Sequence, residues 1–543
     1  MPPRAPRTSL AGRVAIAIAL FVAAAFVANL VHHLLASTLC CGDDAFIAVA
    51  AKNLATGRGY ASSYGGLTGS ADVVRFDPRI TTGPTLVVPA AAAIRVLGHR
   101  YWVPGATALA LSLLLLAGVL AHLAAGAGGP RRWAPAVVVA ILVVNLVTLG
   151  HYEHWTTLLG EVPALLLIFL GVLRCCDRRG RWRDQVTGGL LLGAAVATKT
   201  LAALAVPPVL ALLVLAPPGR GAPAAGLPAG HATAAAGRRR LGRGIRAAVV
   251  VLAATAVPLL LFEAFKVADL GPAGYLESKR AGAAAFRAWP GSGLGQLLAG
   301  GVGPHVRATA ARNWQALEEY FGAAGPPLAL FVALALGLSA RRRWAGRDDP
   351  VPLVLAAIAA AYLLWWLPLA GAARVRYALM GLGIGCLGAV FDLFRGTWSA
   401  RKAALACALA AALLPRAADL ATAMPRRPWF EASPRTASML ATARFLAEAR
   451  EDRSIAADWW ASGVDMEYLL PGTGNLVSHL SLAERGDPPV LFLENAKWID
   501  LPPGARARWQ GSLARRGAEL VFERAPYRVY AAPPLHRAGR DGS

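Results

Sequence analysis

Ionisable side chains stand where long apolar runs begin or end, and their types suit one kind of chemistry. Asp43 and Asp44 follow the first such run, in "CCGDDAFIAVAAKNLATGRGY" (40–60). Glu161 lies within the first turns of a run in "HYEHWTTLLGEVPALLL", Lys199 interrupts one in "GAAVATKTLAAL", and Arg374 and Arg376 start another in "AARVRYALMGL". A charge kept at the edge of a membrane is costly, so each of these is a functional candidate. A carboxylate can take the proton of an acceptor hydroxyl as that hydroxyl attacks. Lysine and arginine can stabilise charge developing on a leaving phosphate. A second carboxylate can orient the acceptor or hold a divalent cation, a role that Asp44 would fill; no other cofactor is implied. The set suits transfer of a group from a lipid-phosphate donor, with Glu161 positioning the acceptor. These residue types define a reaction class without naming a sugar.

The elements that must position these groups follow from composition. The chain has 543 residues, 56% of them hydrophobic and 16% charged, too little charge for a soluble multidomain protein of this length. Apolar runs recur at 14–36, 103–125, 134–150, 156–173, 186–216, 246–268, 326–340, 351–370, 375–391 and 402–420. A crossing helix needs about 20 such residues, and 186–216 is long enough for a tight helical hairpin. The fold class is therefore a polytopic α-helical membrane protein of about eleven membrane helices, followed by a small C-terminal α/β domain. The first run is too long for a signal-peptide core and reads as an uncleaved anchor.

The net charge of +24 does not point to nucleic acid. Much of the excess lies in short loops: Arg4, Arg7 and Arg13; Arg131 and Arg132; 174–183; 238–246; 341–347; 395–402. Such loops alternate with less basic ones, as the positive-inside rule requires, and they match anionic lipid at an inner leaflet. The N-terminus is then inside and the C-terminus outside, in the cytoplasmic (inner) membrane of a bacterium. On that topology Asp43, Asp44, Glu161, Lys199, Arg374 and Arg376 all meet at the outer face. The cysteines offer neither a disulfide framework after residue 421 nor zinc spacing.

The chain divides into a membrane region, 1–420, with outer loops 37–102 and 269–325, and an extracytoplasmic α/β domain, 421–543. In the first loop, "TTGPTLVVPAAAAIRVLG" reads as a turn and an interfacial helix, with Val87, Val88, Ala91, Ile94 and Leu97 on one side. "YLESKR" and "NWQALEEY" read as short amphipathic helices of the second loop. In the last segment "SMLATARFLAEARE" and "ARARWQGSLARRG" read as helices, and "SIAADWW", "PVLFLEN" and "AELVFE…YRVYAA" as strands. Asp458, Trp459 and Trp460 could face the acceptor.

Each charge also has a plainer explanation. Asp43 and Asp44 suit an N-cap and first turn, Glu161 could satisfy His151 or His154, and the basic side chains could snorkel to the interface. A membrane transporter or lipid flippase is the rival function. It predicts charges near the midplane on broken helices in two related halves. Here the charges gather at one face and no repeat is evident.

The motifs taken together resemble the GT-C class of membrane glycosyltransferases, in the bacterial branch of protein O-mannosyltransferases and the lipid A aminoarabinose transferase. "GDDAFIAVAAKNLATGRGY", "TTGPTLVVPAAAAIRVLG", "LGEVPALLLIFLG", "ATKTLAAL" and "RVRYALMGL" occur in the family's order, covering roughly residues 10–420. The resemblance implies an inverting, outer-face transferase using a polyprenyl-phosphate-linked sugar and a lipid, glycan or protein acceptor. By position Asp43 matches the leading acid, taken as base or acceptor-coordinating group, and Asp44 the second. Lys52 matches a basic position of the following helix, and Lys199 and Arg376 match positions near the donor phosphate. The chain departs at "TTGP", where many relatives carry a His- or Lys-Pro-Pro turn.

Overall fold

The apolar runs need helices to satisfy their backbone in lipid, and helices dominate the computed structural model of the chain. The structure describes residues 10–37, 39–62, 73–126, 134–141, 152–177, 180–215, 232–288, 302–321, 337, 350–370, 374–394, 432–449, 455–457, 460–471, 476–477, 491–495 and 504–533. The first half runs α1 (Leu10–Ala36), α2 (Gly42–Ala55), the short antiparallel strands β1 (Ala61–Ser62) and β2 (Val74–Arg75), α3 (Pro84–Leu97) and α4 (Val103–Gly126). It continues with α5 (Glu161–Cys175), α6 (Trp182–Thr198), α7 (Val206–Leu215), α8 (Ala232–Ala288), α9 (Val302–Phe321), α10 (Val351–Leu369) and α11 (Arg376–Phe394).

Among the described residues, five helices are long and apolar enough to cross a membrane: Leu10–Ala36, Val103–Ala125, Leu241–Ala284, Val351–Leu369 and Arg376–Leu393. The expected runs 326–340, apart from residue 337, and 402–420, and 142–150 of the run 134–150, lie outside the described residues, as do Asp458 and Trp459. The helix α5 is buried along nearly its whole length, as expected of a helix apolar on every side. It packs between α4, α6 and α11.

Several expectations change in detail. The run 186–216 does break at Lys199, whose backbone is extended (φ −145°), and a 3-10 turn, Thr200–Ala205, then leads into α7. "YLESKR" is helical as expected and lies in the second of two helices that α8 joins across a kink at the non-helical Gly271, where φ is +69°. "NWQALEEY" lies in the 20-residue α9, tied down by buried Asn313, which donates to the carbonyls of Trp366 and Ala370 at the end of α10. In α3, Val87, Ala91 and Ile94 are buried together with Leu86 and Ala90, whereas Val88 and Leu97 are half exposed. Val88 sits about 100° round the helix from Val87, which takes it off the packed stripe.

The described residues after 431 build a mixed sheet. Helix α12 (Pro434–Ala449) precedes β3 (Ile455–Ala457), α13 (Trp460–Leu469), β4 (Leu476–Val477), β5 (Leu491–Asn495), α14 (Ala505–Arg515), β6 (Glu519–Arg524) and β7 (Tyr527–Ala531). The strand order is β4-β3-β5-β7-β6, with β3 parallel to β4 and β5, and β7 antiparallel to β5 and β6. Alternate residues serve opposite faces: Ile455, Leu491, Leu493 and Val529 pack under α12 and α13, while Ala456 and Phe492 meet Trp509 and Leu513 of α14. Within "SIAADWW", Ile455–Ala457 form β3 and Trp460 begins α13.

Candidate active site

The acid pair lies in the first turn of α2, as "DDAF" suggested, and the two acids part company there. Asp44 points inward and is 1% exposed. Its Oδ1 accepts the Leu158 N–H at 2.7 Å and its Oδ2 accepts the Cys40 N–H at 3.1 Å. This carboxylate ties the start of α2 to the segment that leads into α5. Burial pushes Asp44 up to about 7, against the lowering effect of its two N–H donors, with the charges of Glu153 and Asp43 adding to the rise.

Asp43 points outward, with its side chain 32% exposed. Its Oδ2 accepts from Arg374 Nη1 at 2.8 Å and from Arg376 Nη2 at 2.6 Å. Burial raises its proton affinity, but the hydrogen bond and charge of Arg376, joined by those of Arg374, outweigh burial and hold Asp43 below the usual carboxylate range. Arg376 opens α11, and its Nε lies 3.9 Å from Glu161 Oε1 at the start of α5. The same Glu161 oxygen sits 3.1 Å from Lys199 Nζ, and both side chains are almost fully buried. Lys199 Nζ also donates to the Leu159 carbonyl at 2.8 Å. Glu161 therefore pairs with Lys199, and His154 with the Tyr320 hydroxyl, at 3.3 Å.

Close backbone approach holds this junction together. Thr82 and Lys199 form an antiparallel bridge, the Gly83 N–H donates to the Thr198 carbonyl at 3.0 Å, and Thr82 Oγ1 donates to the Leu159 carbonyl at 3.0 Å. A side chain at Gly83 would collide with the Ala197 carbonyl oxygen. Gly160 adopts φ +85°, and a Cβ there would press on Thr82 and Thr198 at 3.3 and 3.2 Å. The "TTGP" turn thus takes part through its backbone. Its glycine was the only signal of this in the sequence.

The structure brings Asp43, Glu161, Lys199, Arg374 and Arg376 into one chain of contacts. It does not bring Lys52 there. Lys52 is 1% exposed, and its Nζ donates to the carbonyls of Glu467 and Leu470, each at 2.6 Å. Its ammonium is thus engaged at the end of α13, apart from the arginine cluster. The divalent cation considered for Asp44 also fits poorly. Both Asp44 oxygens already accept N–H donors, and among the described residues no three His, Cys, Asp or Glu side chains gather as a ligand set.

No protein-family profile and no curated protein matches the chain. Solved structures do resemble it. The Archaeoglobus fulgidus oligosaccharyltransferase, tethered to an acceptor peptide, is 14% identical with a TM-score of 0.50, over 96% of this chain and 75% of that one. The same organism's oligosaccharyltransferase AglB, in complex with an inhibitory peptide and a dolichol-phosphate, is 13% identical with a TM-score of 0.49 over the same shares. ArnT from Cupriavidus metallidurans in the apo state is 15% identical with a TM-score of 0.43, over 95% of this chain and 97% of that one. At such identities the likeness concerns architecture. The chain has the fold of the GT-C membrane glycosyltransferases.

Proposed function

We propose that this chain is an inverting glycosyltransferase that moves a sugar from a polyprenyl-phosphate donor to a hydroxyl of a lipid, glycan or protein acceptor, at the outer face of a bacterial cytoplasmic membrane. One observation carries the reading: a partly exposed carboxylate, Asp43, is held by two arginines, Arg374 and Arg376, at helix ends that a GT-C fold brings together. The acceptor oxygen bonds to the anomeric carbon from the face opposite the phosphate. The carbon–oxygen bond to the phosphate breaks, its electron pair leaves on the phosphate, and the hydroxyl proton passes to Asp43.

The arginines give this step an order. In the resting molecule they neutralise Asp43 and keep it a poor base. A donor phosphate offers them a second anionic partner, whose charge grows as its bond to the sugar breaks. As they turn to it, burial alone acts on Asp43 and its proton affinity rises. Donor binding thus arms the base. Arg374, half exposed, is the more open of the two to the phosphate. Glu161 and Lys199, nearly sealed from solvent, position Arg376 and contact no substrate. The residues after 421 form an extracytoplasmic domain that binds the acceptor or covers it.

The test uses cells lacking the chain, complemented with the wild type or with Asp43→Asn. Mass spectrometry of envelope lipids, glycans and glycoproteins should find one glycoform lost on deletion and restored by the wild type alone. Removing a general base costs about a hundredfold or more in rate. Full restoration by a normally inserted Asp43→Asn chain would sink the mechanism.

A further inference from the structure

The sheet unit does not stand apart from the acid-bearing helix. Apart from Asp43, residues 44–53 of α2 are all buried, and α2 packs on α3 and on α13. Helix α13 is shared between two cores. Its Met466, with Leu470 just beyond it, packs beneath the sheet. Its Val464 and Tyr468 instead join Ile47, Val49, Leu86, Val87 and Leu158 in the core around α2.

Polar contacts reinforce the same seam. The last carbonyls of a helix have no partner within it and carry the negative end of its dipole. At α13 that end receives Lys52 Nζ, which donates to the Glu467 and Leu470 carbonyls. The Tyr468 hydroxyl donates to the Arg100 carbonyl, at 3.0 Å, just before α4. At the start of α12, the Ser433 N–H and Thr436 Oγ1 both donate to the Ala36 carbonyl at the end of α1, at 2.7 and 3.0 Å. These anchors bracket the acid pair in sequence, at residues 36 and 52.

We propose that α13 is a positioning element of the active site and Lys52 a positioning residue. By capping α13 with a side chain of α2, the molecule fixes the helix that presents Asp43 to its arginines. The residues after 432 then serve the reaction by holding the base in place, in addition to any acceptor contact. This inference rests on the glycosyltransferase reading for its kinetic consequence but not for its structural one.

The experiment compares full-length wild type, Lys52→Met and Tyr468→Phe in lipid nanodiscs, with two readouts. Hydrogen exchange should speed up at least about tenfold over residues 42–55 in Lys52→Met, while peptides from α5 and α6 stay unchanged. Transfer by the same protein should show kcat reduced about tenfold or more with the donor KM unchanged. Unaltered exchange over 42–55 overturns the positioning role whatever the activity, and an unaltered kcat in a chain whose exchange has risen overturns its importance for catalysis. Absence of transfer by the wild type itself would sink the enzymatic reading alone, with exchange still deciding the structural claim. Tyr468→Phe keeps the ring, loses only the bond to Arg100, and carries the same comparison at smaller amplitude if Lys52→Met does not fold.

Discussion

Two adjacent aspartates receive opposite environments. Asp43 faces two guanidiniums and stays ionised to low pH, whereas Asp44 is buried against backbone donors. Their substitutions should separate accordingly. Asp44→Asn presents an NH2 where one of two N–H donors needs an acceptor, so it should cost about 1–3 kcal/mol of stability, read by thermal unfolding. Activity per folded molecule should suffer less than in Asp43→Asn, and an Asp44→Asn chain of wild-type stability would refute the pinning role. The pH dependence has two windows. Asp44 binds its proton more tightly folded than unfolded, so its contribution weakens the fold as pH rises from the ordinary aspartate range, about 3.9, to about 7, and is constant above. Asp43 has the opposite sign: its stabilisation is complete above about 3.9 and is lost as pH falls through its lower folded value. If the donor phosphate draws the arginines away, the acid limb of kcat should lie at higher pH than that of kcat/KM. Coincident limbs would contradict arming by the donor. The doublet itself was legible in the sequence, but the division of labour was not. It depends on Leu158, 114 residues away, and on Arg376, 333 residues away, and no local pattern encodes such partners.

At the scale of elements, the site is a junction of helix ends, and the sequence showed where the helices stop better than how they meet. The break at Lys199 and the helix over 84–97 could be read from charge and apolar spacing, whereas the run expected from 156 becomes this helix only at Glu161. The backbone bridge between Thr82 and Lys199 could not, because it needs two segments to approach without side chains between them. Gly83 is what permits the approach. Gly83→Ala would drive a methyl onto the Ala197 carbonyl oxygen, an atom fixed in the last turn of α6. Overpacking of this kind costs about 1–3 kcal/mol, and relief would push α3 away from Lys199. The expected result is a lower unfolding temperature together with a loss of transfer, and a Gly83→Ala chain matching the wild type in both would show the junction to be looser than drawn. Lys199→Met tests the other half. It leaves Glu161 buried without its close partner, a change that costs about 3–5 kcal/mol. If Lys199 instead served as a phosphate contact, the effect would appear as a raised donor KM at unchanged stability.

At the scale of the whole molecule, the contact between Ser433 and Ala36 constrains the topology more tightly than the arginine count. Ala36 ends α1, a helix long enough to cross the membrane, and its carbonyl accepts from both Ser433 and Thr436 at the start of α12. Residues 36 and 433 therefore lie on the same side. The chain between them must cross an even number of times, whatever its exact number of spans. Among the described residues beyond 433 no helix is long and apolar enough to cross. If no further crossing follows residue 433, the total with α1 is odd, and residues 10 and 533 fall on opposite sides. In the orientation we propose, Arg4, Arg7 and Arg13 keep the start of α1 at the cytoplasmic face, and the sheet unit and the acid pair lie outside together. An alkaline phosphatase fused after residue 543 should be active in bacteria, and a cysteine placed at the exposed Arg75 of β2 should react with a membrane-impermeant maleimide in intact spheroplasts. The two reporters must agree with each other even if the orientation were inverted, because α2, α3 and α13 share one core. Disagreement between them would dissolve that core, and the position of Asp43 with it.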